Sequence, residues 1–275
     1  MPQLPPEQDN DAYVRAVHDK GLAFDLGTMS RRRMLAAVGG AGAIAVAGGA
    51  LIGASGKADA AAAACLAEVE SETAGPFPAD GTNGPDVRKV SGVVRNDIRS
   101  SFGTSSTVAT GVPLTFSLVI NNLSCAPLAG VAVYAWHCDK LGRYSLYSSG
   151  ATNENYLRGI AATDATGKVT FTTIYPAAYS GRWPHIHFEV YTSVADATSG
   201  TGLIRKTSQI ALPKDTSTAV YASSSGYTGS TANMRRTTLA SDMVFGDDLA
   251  AREMATVTGS VAAGYVANLA ITVNL

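Results

Sequence analysis

Residues 179–191, Tyr-Ser-Gly-Arg-Trp-Pro-His-Ile-His-Phe-Glu-Val-Tyr, constrain this chain more than any other stretch. From His185 to Tyr191 the run is free of Gly and Pro and rich in aromatic and β-branched residues, which reads as a strand. Strand side chains repeat every two residues, so His185 and His187 point to one face. The chain has only four histidines, His18, His137, His185 and His187. Half of its imidazoles therefore stand together on one strand. A pair of surface or hydrogen-bonded core histidines would show the same spacing. The phenols of Tyr179, just upstream, and Tyr144, in an earlier block, turn the reading toward a metal site.

The surrounding pattern is that of short strands. Glycine is abundant at 28 residues, and Thr, Ser and Val recur in short runs. Strands are expected over 89–94, 111–121, 131–138, 159–162, 168–174, 182–191 and 203–213, and as a closing pair around Gly264. Pro213 ends one of them. Asp164 and Gly167 supply the turn between 159–162 and 168–174. Residues 70–88 read as a surface arm, 192–202 and 221–229 as loops, and 247–255 as the one convincing helical stub after the leader. The expected architecture is all-β: a single β-sandwich whose long loops carry the site.

Residues 1–64 read as an address rather than a fold. A polar extension leads to Ser30-Arg31-Arg32-Arg33, then an uncharged Ala/Gly/Val/Ile/Leu run over 36–53, then small residues up to Cys65. This is the order of a signal peptide, and the paired arginines match a twin-arginine signal. It implies the export machinery as a partner and a secreted, extracellular or cell-envelope location. Cleavage is expected between Ala60 and Cys65. Ala-Ala-Cys is also a weak lipid-attachment signal, so membrane contact is limited to export or such an anchor. An uncleaved anchor helix is the alternative. A formal net charge of -1 with no basic block gives no support for a nucleic-acid partner. The three cysteines, Cys65, Cys125 and Cys138, allow one disulfide with one thiol left over, or full reduction. Oligomeric state is not fixed by the sequence.

Two imidazoles and two phenols make an N2O2 donor set. A free phenol ionises near pH ~10, so a strongly acidic cation is needed to deprotonate it. Anionic oxygen donors favour ferric over ferrous iron and make a poor zinc site. Two negative ligands against three positive charges leave one unit, which suits a dianionic, bidentate catecholate. Each tyrosine alone is better explained as core, because the chain has 11 of them.

The chain resembles the intradiol ring-cleavage dioxygenases, the family of catechol 1,2- and protocatechuate 3,4-dioxygenases, and looks most like their secreted bacterial relatives. The resemblance rests on residues 135–147 (AWHCDKLGRYSLY), 155–159 with 163–179, and 182–191 (RWPHIHFEVY), together with Gly75-Pro76-Phe77. It covers nearly everything after about residue 65, so the catalytic domain is expected over 65–275. It implies non-haem Fe(III) held by Tyr144, Tyr179, His185 and His187, with Tyr179 the ligand that a catechol displaces. It implies that Arg182 stabilises negative charge on the substrate, that Gln209 accompanies it, and that His137 is structural. The substrates would be a small aromatic diol and dioxygen, and the product a cis,cis-muconate-type diacid cleaved between the hydroxylated carbons. Two positions depart from the family pattern. Ala177 replaces the glycine of Pro-Gly-x-Tyr, and Trp183 has no matched role. The helical N-terminal domain of the family's cytoplasmic members has no counterpart in this reading. The competing readings are an exported binding module of the same fold without turnover, and a zinc or copper hydrolase using the two histidines. The hydrolase lacks an obvious carboxylate base, since Glu189 lies beyond His187 and reads as a surface residue.

Overall fold

The computed structural model describes residues 66–223 and 226–275. The export signal, its cleavage point and Cys65 lie outside the described residues. Among the described residues eight strands form two sheets. They are β1 (Pro113–Asn121), β2 (Ala132–Trp136), β3 (Arg158–Ala162), β4 (Lys168–Ile174), β5 (His185–Tyr191), β6 (Lys206–Ala211), β7 (Thr256–Ser260) and β8 (Gly264–Thr272). One sheet has the order β4-β1-β8-β7, the other β3-β2-β5-β6. The second is antiparallel throughout, and β1 runs parallel to β8 in the first.

Strand burial follows position in the sheet. In β1, Leu114, Phe116, Leu118 and Ile120 are buried in alternation, and Phe116 stacks on Phe171 of β4 at 5.0 Å. The edge strand β7 is largely exposed. Strands β2 and β5 are buried at every residue, as expected of central strands covered on both faces. The five-residue turn 163–167 passes from one sheet to the other, between β3 and β4. There Asp164 accepts the Thr166 and Lys168 amides, and Gly167 takes φ +74°.

The fold is not purely all-β. Among the described residues three α-helices accompany the sheets, so the class is mixed α/β: α1 (Val194–Thr198), α2 (Lys214–Ala222) and α3 (Ser230–Arg236). All three lie where a loop or no regular element is expected. At 5, 9 and 7 residues they are too short to be stable alone, and packing decides instead. Helix α1 packs on β2, β3 and β5, and Ser193 caps it by accepting the Asp196 amide. Helices α2 and α3 pack on each other. The expected helix at 247–255 is absent: the segment is turns, with Leu249 and Ala250 at φ +62° and +56°. Consecutive left-handed residues cannot continue a right-handed helix. The expected strand at 89–94 is replaced by a 3-10 turn at Val87–Lys89 and a bend at Gly92, φ +100°.

The arm before β1 is a tie and not a surface strap. Val69 donates to Thr272 of β8 and Glu72 to Thr207 of β6, so it bridges the sheets. Its continuation, Phe77 to Asp80, is buried. Arg88 clamps it by donating to Asp86, to the Asp80 carbonyl and to the Tyr191 hydroxyl. Cys125 is disulfide-bonded, whereas Cys138 is a free, buried thiol.

Candidate metal centre

Strand β5 delivers the two histidines as periodicity demands. The antiparallel register sets His187 opposite Trp136 of β2 and opposite Gln209 of β6. Directly opposed residues share a face. Trp136 therefore stacks flat on the His187 ring, with centroids 5.0 Å apart and 3° between planes. The His185 Nδ1 meets the Trp183 carbonyl oxygen at 2.5 Å, which puts the ring proton on Nδ1 and the lone pair on Nε2. The arm comes in over His187. Gly75 has φ +69°, and a Cβ there would stand 3.4 Å from His187 Cε1.

The two tyrosines come from loops, and each loop is pinned by side chains. After β2 the chain turns around Asp139. Its carboxylate accepts the Leu141 and Arg143 amides and pairs with the Arg143 guanidinium at 2.7 Å. Tyr144 leaves that turn with its amide on the Ser148 hydroxyl and its ring stacked on Phe77 at 4.9 Å. Arg158 anchors the next residue: its guanidinium donates to the Ser145 hydroxyl and carbonyl, and to the Phe77 and Pro78 carbonyls of the arm. Tyr179 sits on the segment between β4 and β5. The α2–α3 pair holds that segment: Tyr221 donates to the Pro176 carbonyl, Asn233 to the Ala178 carbonyl, and Ser230 accepts the Ala178 amide. Gly142 lets the two loops touch, because a Cβ there would meet Tyr179 Cβ at 3.3 Å.

The four side chains converge. Tyr144 Oη lies 3.3 Å from Tyr179 Oη, 3.4 Å from His185 Nε2 and 3.1 Å from His187 Nε2. His185 Nε2 is 3.1 Å from both Tyr179 Oη and His187 Nε2. All four residues are buried. Four atoms so spaced surround a point roughly 2 Å from each, the ordinary length of a metal–nitrogen or metal–oxygen bond. Among the described residues no group of three or more His, Cys, Asp and Glu is placed to hold a metal. The cluster instead draws half of its donors from phenols.

Its electrostatics suit a strongly acidic cation. Burial drives the Tyr144 phenol far above its ordinary range, and the neighbouring Tyr179 adds to this. Burial pushes Tyr179 up to about 12 even though the Arg182 charge opposes it. Burial, then the neighbouring His185 and Arg182, keep His187 neutral by lowering its pKa well below the usual value. Neutral imidazoles offer lone pairs, and phenols buried this way lose their protons only to a cation that replaces them. The residues fit a trivalent ion better than a divalent one.

Arg182 is buried beside the cluster and forms a salt bridge with Asp242. Its Nε donates to Asp242 Oδ2 at 3.0 Å and its Nη2 to Gln209 Oε1 at 2.7 Å. Gln209 is fixed in turn by donating to the Thr73 carbonyl at 2.9 Å. Asp242 is a site residue the sequence did not disclose. Besides Arg182, it accepts the Trp183, Val244 and Phe245 amides. Nothing in its Ser-Asp-Met-Val context ties it to an arginine sixty positions earlier. His137 is away from the cluster, held between the Cys138 carbonyl and the Thr173 hydroxyl, and burial lowers its pKa to about 4. Glu189 is not a surface residue. It is fully buried, receives the Tyr191 hydroxyl at 2.5 Å, and burial raises its pKa to about 8. Ala177 has no positive φ, so the turn before Tyr179 is an ordinary one. Trp183 is buried, its indole donating to the Leu212 carbonyl.

Comparison with known proteins bears on this geometry. A dioxygenase family model matches residues 83–187, a span that contains all four convergent residues. The fold matches an intradiol ring-cleavage dioxygenase from Tetranychus urticae with a TM-score of 0.58, at 21% identity over 76% of this chain and 95% of that one. The likeness is one of fold: the chain is similar in fold to an intradiol ring-cleavage dioxygenase. The intradiol fold also matches catechol 1,2-dioxygenase from Acinetobacter sp. ADP1, solved with bound mercury, with a TM-score of 0.51 and 16% identity over 96% of this chain and 76% of that one. One of these proteins is from a mite and the other from a bacterium, so the likeness does not select a secreted bacterial branch.

Proposed function

We propose that the chain is a non-haem Fe(III) dioxygenase that cleaves a catechol-type ring between its two hydroxylated carbons with dioxygen. One observation carries the reading: two phenol oxygens and two imidazole nitrogens converge within 3.1–3.4 Å in a buried pocket beside a buried arginine. Tyr144, Tyr179, His185 and His187 would hold the metal. Ferric iron bound there would act as a Lewis acid, drawing electron density from a chelated catecholate so that a ring carbon becomes reactive toward dioxygen.

The chain's own residues do the rest. Tyr179 Oη accepts a catechol proton as the diol enters. Burial favours its phenol form, so the pocket itself favours that proton resting on Tyr179. Tyr144, locked by Phe77 and Ser148, stays in place. Arg182 cannot swing away, because Asp242 and Gln209 hold its guanidinium from two sides. Its fixed positive charge favours the negative charge that develops on the substrate ring during oxygen attack. Trp136 and Phe77 wall the donors off from water. The product is a cis,cis-muconate-type diacid. Residues 1–64 serve as a twin-arginine signal that exports the folded, metal-loaded chain, a reading supported by Ser30-Arg31-Arg32 ahead of the apolar run.

The deciding experiment is the visible spectrum of the ferric-reconstituted protein with and without catechol under anaerobic conditions. A tyrosinate-to-iron band that moves to longer wavelength on adding catechol, followed by oxygen uptake and diacid formation in air, is the expected result. A colourless ferric protein would sink the two-tyrosine assignment. A coloured protein that ignores catechol would leave a metal-binding module without this turnover.

A further inference from the structure

A cavity of about 560 Å³ opens behind the Tyr179 segment, and none of the four convergent residues lines it. Its floor is aromatic and apolar: Trp183, Tyr221 and Met234 are buried there, with Leu239 at the side. Two cations stand in its wall, Lys214 at the start of α2 and Arg235 near the end of α3. Both are exposed, and neither has an ion-pair partner among the described residues. Among the described residues no acidic side chain lines the cavity.

These features select a ligand class. An apolar chamber of this size accepts one or two fused rings, and Trp183 and Tyr221 offer faces for stacking. Two cations and no described acidic side chain in its wall give the cavity a positive potential that favours an anion. A carboxylate meets both needs, since a guanidinium can take it bidentately and an ammonium can complete the charge. We infer that the cavity between α2, α3 and Trp183 is a second ligand site, separate from the candidate metal centre, that binds an aromatic carboxylate with its ring on Trp183 and Tyr221 and its anion on Lys214 and Arg235. The inference does not depend on the proposed dioxygenase activity.

The probe is 2-naphthoate, titrated calorimetrically into the full chain, with 2-naphthalenemethanol as the uncharged counterpart. Saturable one-site binding of 2-naphthoate is expected. The exposed double variant K214Q/R235Q should weaken it at least tenfold while leaving the alcohol's affinity within about threefold. Met234→Trp, which fills the chamber, should abolish binding of both. Absence of saturable binding would overturn the site. So would full affinity in K214Q/R235Q, which needs no core change to interpret. Undiminished binding in a folded Met234→Trp protein would place 2-naphthoate elsewhere, the metal centre included, and would equally overturn it.

Discussion

The two halves of the convergent cluster are built differently. His185 and His187 belong to a strand that is buried throughout and paired on both sides, so backbone regularity alone aims them. Tyr144 and Tyr179 belong to irregular segments aimed by individual hydrogen bonds to Asp139, Ser148, Arg158, Asn233 and Tyr221. A strand gives position cheaply but offers only fixed spacings. A pinned loop can place a donor anywhere, and each pin becomes a point of failure. The half that must let a ligand go during turnover is, in the proposed function, the loop-borne half.

The sharpest break of this comparison is His187→Ala. It removes a donor that no neighbouring segment can replace, and it uncovers Trp136. Ferric binding and ring cleavage should fall well beyond the roughly 10–100-fold typical of losing an outer partner. Iron content and oxygen uptake measure this. A variant that keeps its iron and its rate would remove the histidine half from the site.

Arg158→Met tests the other half through its pins. The side chain is almost fully buried and donates to four oxygens on the Tyr144 loop and the arm. Its loss strands those acceptors, so destabilisation of about 3–5 kcal/mol is expected in denaturant melts. The Tyr144 donor should loosen while β5 stays paired. A stable variant would mean that the loop is held by Asp139 and Phe77 without the arginine.

How much of this was legible in the sequence follows the same division. Strands β1, β4, β5 and β8 lie within stretches where strands are expected, and the histidine pair with them. The tyrosines were picked by resemblance, because one phenol among 11 carries no local signal. The helices carry no clear sequence signal. KDTSTAVYA and STANMRR are too short to stand as helices on their own, and they are held by packing on each other and on the Tyr179 segment. Conversely, DDLAAREMA has good helix formers but is turned by Leu249 and Ala250. Long-range partners such as Asp242 for Arg182 leave no trace at any short spacing.

Glu189→Gln probes the floor on which both halves rest. Glu189 is a buried carboxyl whose folded pKa is about 8 against an ordinary 4.5, because burial and the Asp80 charge disfavour ionisation. A raised folded pKa means full stability below pH ~4.5, lost progressively as pH rises through ~8. Glu72 and Glu253, raised to about 8 and about 7, act in the same direction. The wild-type melting temperature should therefore decline from pH 5 to 8.5, and Glu189→Gln should make that decline shallower without removing it. An unchanged slope would show that Glu189 does not titrate in this window.

Gly75→Ala touches the histidine half from above. Its φ of +69° disfavours a side chain, and the new methyl would stand 3.4 Å from His187 Cε1. A cost of about 1–2 kcal/mol is expected. The effect should include a changed ferric spectrum, since the contact is to a donor ring.

Ala177→Gly is the matched change on the tyrosine half, and it should do least. The family pattern places glycine there, but Ala177 has no positive φ, is buried, and donates its amide to the Asp139 carbonyl at 3.3 Å. Glycine would therefore relieve no strain. It would add backbone freedom to the unfolded chain and leave a methyl-sized gap, for a loss of about 1–2 kcal/mol. The spectrum should stay as it was, because Pro176 and Ala178 remain clamped by Tyr221, Ser230 and Asn233. A variant more stable than wild type would reverse this account. It would mean that Ala177 holds the segment under tension, and that the helices grip Tyr179 against a preference for another turn.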